Sequence, residues 1–407
     1  MSELFPALGN FFGLNDEKKI ADSGIRNIFT PHQPIAEFDL LLGRKDEVQS
    51  LVQTLSTPGQ HVLLYGERGV GKSSLANVVA DALRVLLQTT VHIKRCDQSD
   101  TFESIVRTSL AEVGADLILT GASEEVGGEA GADLKVLKGT LAKRVVAEYQ
   151  VSHSLSPSTV AEALTDLNGL LVVDEADAIG NREDRRKLAE LIKLLSDGGS
   201  AYKLMVVGIA ETGSELTAAH PSVQRCLRET KLERMSDPEL SEIVEAGSEK
   251  AGIRFSEEAT NLIVALSAGY PHFTHLIALK CAERAVVEDR QMIELDNLQA
   301  ALQLAVRDAE GTLKRSYDDS TRSGATTMYR DIVSAAARID TEEFSASALR
   351  EQIEEVTGNP ISQGSLNNYL QRLVTADGSS ILQRSAKGVY RFSDPRMKSY
   401  VRMSRAA

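Results

Sequence analysis

The chain has 407 residues, 42% hydrophobic and 25% charged, enough for two or three domains with their own cores and unlike a disordered or fibrous protein. A formal charge of −13 excludes a surface coated with nucleic-acid-binding charge, though not a local basic patch. No run approaches the roughly 20 apolar residues of a membrane span, and Met1-Ser2-Glu3-Leu4 does not open a secretory leader. Cys96, Cys226 and Cys281 match neither a disulfide framework nor a zinc spacing, so a cytoplasmic chain with no membrane partner is expected.

Residues 1–34 read as an arm. Phe5, Leu8, Phe11, Phe12 and Leu14 could share one apolar patch, followed by a polar stretch to Thr30 and then Pro31 and Pro34. Such an arm either packs on its own chain or docks on a neighbouring subunit. From residue 35 to 236 short apolar runs alternate with helical segments. The runs at 61–65, 91–93, 170–173 and 204–207 are nearly continuous and rich in β-branched residues, as strands buried on both faces of a parallel sheet are. The alternation predicts an α/β domain with crossover connections. Residues 121–134, rich in Gly, Ala and acid, fall in a predicted mobile insertion spanning about 121–155.

Past Ser236 the strands stop. Asp237-Pro238 supplies a cap and a first-turn proline for a helix running to Gly252. Further helices follow Ser256, Pro271 and Asp296, giving an all-α subdomain over 237–310. Residues 311–326, with Gly311, Ser316, Ser320, Ser323 and Gly324, predict a linker. Three helices at about 327–338, 346–356 and 363–374 then precede two short strands around Ser385-Ala386-Lys387. That order predicts a winged-helix domain over 327–407.

The strongest chemical signal is Gly66-Glu67-Arg68-Gly69-Val70-Gly71-Lys72-Ser73, a full GxxxxGK[ST] pattern between a buried strand and a helix. Its glycines let backbone N–H groups converge on phosphate oxygens, and the helix N-terminus adds positive potential. Lys72 is expected to reach the β- and γ-phosphates and the Ser73 hydroxyl to ligate Mg²⁺, with Ser74 in the same first turn. About a hundred residues on, Leu170-Leu171-Val172-Val173 ends in Asp174-Glu175. Asp174 would hold the Mg²⁺ shell and Glu175 would activate the attacking water, so ATP and Mg²⁺ are the expected cofactors.

With these motifs the chain resembles the AAA+ ATPases of the origin-recognition initiator-like clade, from about residue 35 to the C-terminus. The resemblance implies a P-loop parallel-sheet ATPase domain followed by an all-α lid and a winged helix. Leu42-Gly43-Arg44-Lys45-Asp46-Glu47 is similar to that clade's GRxxE segment, which implies that Leu42 and Gly43 line an adenine pocket. The resemblance also implies a polar sensor after the fourth strand, where this chain has Glu211 and Thr212. His220-Pro221-Ser222-Val223-Gln224-Arg225 resembles the segment carrying a trans-acting arginine finger, implying a homo-oligomer in which Arg225 completes a neighbour's site. Ser267-Ala268-Gly269-Tyr270-Pro271-His272 resembles the second-sensor stretch, with His272 in place of arginine.

In the third helix of the winged-helix domain Leu366, Leu370 and Leu373 form a core stripe. Asn367, Asn368, Gln371 and Arg372 lie off it, where amide and guanidinium groups suit a major groove. Beyond Leu382 the basic residues Arg384, Lys387, Arg391, Arg396, Lys398, Arg402 and Arg405 face only Asp394, so wing and tail read as locally cationic. A second basic stretch, Lys135 to Arg144, lies in the insertion. Two functions follow: an assembling ATPase switch on duplex DNA, or a signalling or defence ATPase whose winged helix contacts a protein partner. No GxSxG, HExxH or nuclease-like acid pair is present.

Overall fold

The computed structural model describes residues 14–35, 43–115, 143–147, 149, 154–209, 221–309, 311–323, 326–375 and 380–407. The chain divides into two compact units. One comprises Pro34–Glu67 and Lys72–Glu233. The other comprises Arg234–Ala407, the residues up to Gln33 and the tetrapeptide Arg68–Gly71.

The first unit is built on five parallel strands, β1 (His61–Gly66), β2 (Thr90–Arg95), β3 (Gly169–Asp174), β4 (Lys203–Gly208) and β5 (Leu227–Leu232), in the order β2-β3-β4-β1-β5. β3 and β4 are buried at every position, which is why they read as unbroken apolar runs. The fifth strand escapes sequence reading. Leu227-Arg228-Glu229-Thr230-Lys231-Leu232 is an edge strand whose polar centre faces outward, so it lacks the apolar run that marks its neighbours. Helices α3 (Lys45–Ser56) and α4 (Lys72–Leu87) pack with β1. On the other face α5 (Phe102–Ala111), α6 (Pro157–Leu164) and α7 (Arg182–Asp197) enclose a core with Leu63, Leu171, Val173, Leu204 and Val206. The alternation of strand residues between the two faces follows the two-residue period.

Part of the predicted mobile insertion is structural. Residues 143–147 are helical, and Val145 is fully buried in that core, as is Leu155. Val145 and Val146 supplied the apolar anchor beside Lys143 and Arg144; Arg144 pairs with Glu162 at 2.6 Å. Residues 121–142, 148 and 150–153 of the insertion, Lys135–Lys138 among them, lie outside the described residues.

The second unit holds the four predicted helices: α8 (Asp237–Ala251), α9 (Glu257–Ser267), α10 (Pro271–Val287) and α11 (Leu295–Asp308). A two-stranded pair, β6 (Arg254–Phe255) and β7 (Met292–Ile293), accompanies them. The arm contributes α1 (Leu14–Ser23) and α2 (Ile25–Ile28), which pack on α10 and bury Ile20, Ile25 and Phe29. The Phe29 ring occupies the space a side chain at Gly247 would need, 2.3 Å from its ideal Cβ, so glycine there is a packing requirement. The described part of the arm therefore packs on its own chain, while Phe5, Leu8, Phe11 and Phe12 lie outside the described residues.

The segment expected to be a linker is largely a helix, α12 (Gly311–Thr321). Leu313, Tyr317, Ser320 and Thr321 form its buried side, with Tyr317 edge-on to Tyr400. Only two of those four are apolar, and the helical period was hidden accordingly. The winged-helix module follows as α13 (Met328–Arg338), β8 (Phe344–Ser345), α14 (Ala346–Thr357), α15 (Gln363–Thr375), β9 (Leu382–Ala386), β10 (Val389–Phe392) and α16 (Met397–Ala406). Its antiparallel sheet has the order β8-β10-β9.

Two histidines are buried in the neutral form. His61 Nδ1 accepts the Leu204 N–H at 3.0 Å, and burial, aided by Lys203, pushes its pKa down to about 3. His275 Nδ1 accepts the Thr30 N–H at 3.3 Å, and burial, with His272 nearby, lowers its pKa to about 4. An unfolded chain takes up these two protons near pH 6.5, whereas the native protein does not until far lower pH, so stability must fall as pH drops below about 6.5. Urea unfolding between pH 7 and 5 should show a slope approaching ~2.7 kcal/mol per pH unit from this pair at the acid end. His61→Asn and His275→Asn, which keep an acceptor for the same N–H, should each make that slope shallower.

Candidate functional site

The phosphate loop grows out of β1 because that strand ends in a position only glycine fills. A Cβ on Gly66 would lie 2.4 Å from the Leu232 carbonyl oxygen of β5. Gly69 and Gly71 carry φ of +88° and +97°, the left-handed region that opens a loop around an anion. Between them Val70 is buried and anchors the turn, while Arg68 is exposed and Glu67 is half-buried. The Lys72 ammonium donates to the carbonyls of Gly66 and Glu67 at 3.0 and 2.8 Å, which holds it over the loop's own interior. Ser74 Oγ accepts the Ile35 N–H at 3.1 Å and so ties the entering chain to the first turn of α4.

Across the strand ends, Ser73 Oγ donates to Asp174 Oδ1 at 3.2 Å. Asp174 is 3% exposed at the end of β3, and the same oxygen accepts the Glu175 N–H at 3.0 Å. Glu175 itself is exposed, with φ 57° and ψ 40°, an uncommon conformation for a non-glycine residue. A hydroxyl and a carboxylate meeting at one point, beside a lysine and converging N–H groups, fit a hard divalent cation carried by a polyphosphate. Ser73 and Asp174 are the residues that would hold it. Among the described residues no other group of acids, histidines and cysteines has metal-binding geometry.

The remaining predicted residues divide. Leu42, Glu211 and Thr212 lie outside the described residues. Gly43 sits in a turn with φ +70° immediately before Arg44. The GRxxE segment has an evident structural task that sequence reading missed: Arg44, 5% exposed, pairs with Glu47 at 2.8 Å and donates to the Glu233 carbonyl at 2.6 Å. It thereby pins the start of α3 to the chain leaving β5.

Arg225 is exposed at the end of a 3₁₀ turn, Pro221–Arg225, and pairs with Asp197. His272 does not stand free as a substitute for a sensor arginine. Its Nδ1 donates to the Pro31 carbonyl at 2.7 Å, one turn from the His275 bond to Thr30, so the two imidazoles clasp the arm to α10.

On α15 the predicted pattern holds. Leu366, Leu370 and Leu373 are buried, and Asn367, Asn368, Gln371 and Arg372 are exposed. Arg372 stacks over Tyr329, 4.4 Å from its ring centre, and donates to the Arg322 carbonyl. Arg384 and Lys387 are exposed on the wing. The cationic tail is corrected in part: Arg396 and Lys398 are buried and Arg402 is half-buried, whereas Arg391 and Arg405 stay exposed. Arg396 pairs with Asp394, and Lys398 donates to the Asp340 carbonyl. Arg402 caps the Ala337 and Ala265 carbonyls, and Arg405 pairs with Asp331. Sequence counting cannot see that α16 folds these side chains back against their own module.

Lys72→Ala should lower purine nucleotide affinity roughly 10- to 100-fold, the worth of a charged hydrogen bond, with the thermal melt unchanged. Gly66→Ala should instead lower stability itself by about 1–3 kcal/mol through overpacking against Leu232. Calorimetry with the nucleotide, paired with denaturation of each variant, separates the two effects.

The comparisons with known proteins agree with this geometry. Residues 34–382 match the family model described as Novel STAND NTPase 1, nSTAND1. No match is found among curated proteins. Among solved structures the ORC2 protein of Aeropyrum pernix is similar at 17% identity and a TM-score of 0.51, over 94% of this chain and 97% of that one. A Walker-type ATPase of Pyrococcus abyssi (17% identity, 92% and 99% coverage, TM-score 0.49) and Cdc6p of Pyrobaculum aerophilum (15%, 94% and 97%, 0.48) also match. On the extent of the family match, the chain belongs to the Novel STAND NTPase 1 family, on a fold it shares with the ORC2 protein of Aeropyrum pernix.

Proposed function

We propose that this protein is an ATP-binding and ATP-hydrolysing switch that assembles with copies of itself and engages duplex DNA through its winged helix. The observation that carries the reading is the meeting of Lys72, Ser73 and Asp174 at the ends of β1 and β3, with Glu175 projecting beside them. In this reading Lys72 binds and orients the β- and γ-phosphates, and Ser73 and Asp174 hold Mg²⁺, which supplies charge neutralisation when bound. Glu175 takes the proton of the attacking water, a contribution of about 10²–10⁴ in rate. Arg225, from a neighbouring copy, offsets charge developing on the transferred phosphoryl. Its exposed partner Asp197 is a weak competitor, since surface ion pairs are worth little. DNA contact falls to Asn367, Asn368, Gln371 and Arg372 on α15 and to Arg384 and Lys387 on the wing.

A second reading is favoured by one specific observation. With Arg396 and Lys398 buried, Arg402 and Arg405 bonded to groups of the same unit, and Glu351, Glu354 and Glu355 exposed on α14, the tail adds little free cationic surface to that of the wing. The same switch would then present its winged helix to a protein effector.

Size measurement with and without ATP and duplex DNA, comparing the parent with Glu175→Gln, tests both. The DNA reading expects a trapped, larger DNA-bound species with the variant. It also expects a shallow salt dependence, with a log–log slope of only about −3, as for three phosphate contacts. Asn368→Ala with Arg372→Ala should abolish that binding. ATP-dependent assembly with no DNA in the complex would leave the effector reading standing.

A further inference from the structure

Arg372 is the only basic residue of α15, and its guanidinium is held in place by its own module. Its Cζ lies over the Tyr329 ring, 4.4 Å from the ring centre, and its Nη2 donates to the Arg322 carbonyl at 2.8 Å. Tyr329 is steadied in turn by Tyr369, edge-on to it with ring centres 5.1 Å apart and planes at 82°. Three helices thus meet at one planar group. Arg322 directly follows α12, Tyr329 lies in the first turn of α13, and Tyr369 and Arg372 are on α15. All of these residues belong to the same compact unit. Both rings are half-buried, whereas Arg372 is exposed. A guanidinium has two flat faces; with one on Tyr329, the other is the face that solvent reaches.

Resting on the reading that the winged helix meets DNA, we infer that the Tyr329–Arg372 stack is a site for one unpaired base. The module then takes DNA with a separated or overhanging strand in preference to uninterrupted duplex. A planar cation backed by an aromatic ring is a stacking surface, and bases out of a helix stack on arginine planes as they do on aromatic rings. Fixing that plane in advance spares the rotamer freedom a loose arginine would lose on stacking. A base inside a duplex has both faces covered by its neighbours, so only a base out of the stack can offer one. Arg322 and Arg330, the latter next to Tyr329 in the chain, are exposed and supply charge for flanking phosphates. Asp331, the next residue of α13, is engaged by Arg405 at 3.1 Å. Those cations favour a nucleotide over an aromatic side chain of a protein partner, which carries no phosphate for them.

The test titrates the full chain, by fluorescence anisotropy, against paired probes: a labelled duplex with a single-stranded tail, and the same duplex whose tail is abasic. The phosphates are identical, and tails of either polarity are used. The parent should bind the tail with bases about tenfold more tightly than the abasic one, the order expected for one base stacked on a protein surface. Arg372→Lys, an exposed change that keeps the charge and loses the plane, should abolish that difference. Tyr329→Leu, which removes the backing ring, should do the same. Lys387→Ala on the wing should weaken both probes alike and leave their ratio as in the parent. Equal binding of the two probes by the parent overturns the inference alone and leaves duplex binding standing, as does a full difference in Arg372→Lys. Loss of the difference in Lys387→Ala also overturns it, since the preference would then not come from the stack. Binding of neither probe overturns the DNA reading and this inference together, and leaves the effector reading.

Discussion

Ser73 and Asp174 are a hundred residues apart and sit at the ends of two strands that do not pair, since β4 lies between β1 and β3. Their 3.2 Å contact is possible because all five strands are parallel. Every C-terminal strand end then falls on one edge of the sheet, and the loops that leave them can reach across a neighbour. The rest of the site depends on that edge. Gly66 must lie against the Leu232 carbonyl for β5 to close beside β1, and Arg44 ties the chain beyond β5 to the start of α3. A sheet with buried central strands and polar outer ones supplies the rigid base on which Glu175 can keep an unusual backbone conformation.

The two motifs were legible because their chemistry is local. A phosphate loop needs glycines at fixed offsets and a lysine one residue before the hydroxyl, and both survive in any tertiary setting. The central strands were legible for a related reason: burial on both faces leaves an unbroken apolar run. β5 was not, because an edge strand needs apolar residues only where it meets the sheet. α12 was not, because half of its buried face is hydroxyl. Partners of side chains were the least legible. Nothing in Leu42-Gly43-Arg44 says that Arg44 will bind a carbonyl at residue 233, and nothing in Pro271-His272 says that the Pro31 carbonyl will accept the imidazole N–H.

The tail shows why a count of charges misleads. Four cations after Asp394 look like a phosphate-binding stripe, yet α16 buries its apolar side and takes Arg396 and Lys398 in with it, leaving Arg402 half-buried and Arg405 exposed. A buried lysine or arginine is tolerated only when its donors are satisfied, and here carbonyls at the ends of α9 and α13 and the carboxylates of Asp331, Asp340 and Asp394 serve. Burial and Arg402 lower the Lys398 pKa to about 8, a sign that its environment is built for packing rather than for display. A helix held by so many directed bonds has few alternative positions, so whatever moves it must replace several of them at once.

That rigidity gives the second unit two kinds of fastening with different chemistry. The arm is held to α10 by imidazoles, one donating and one accepting, and the accepting ring works only while neutral. The start of α16 is held by a guanidinium paired with a carboxylate, Arg396 with Asp394. Protonating His275 would cost the arm its bond to Thr30, and the burial that lowers this pKa to about 4 guards the clasp near neutral pH.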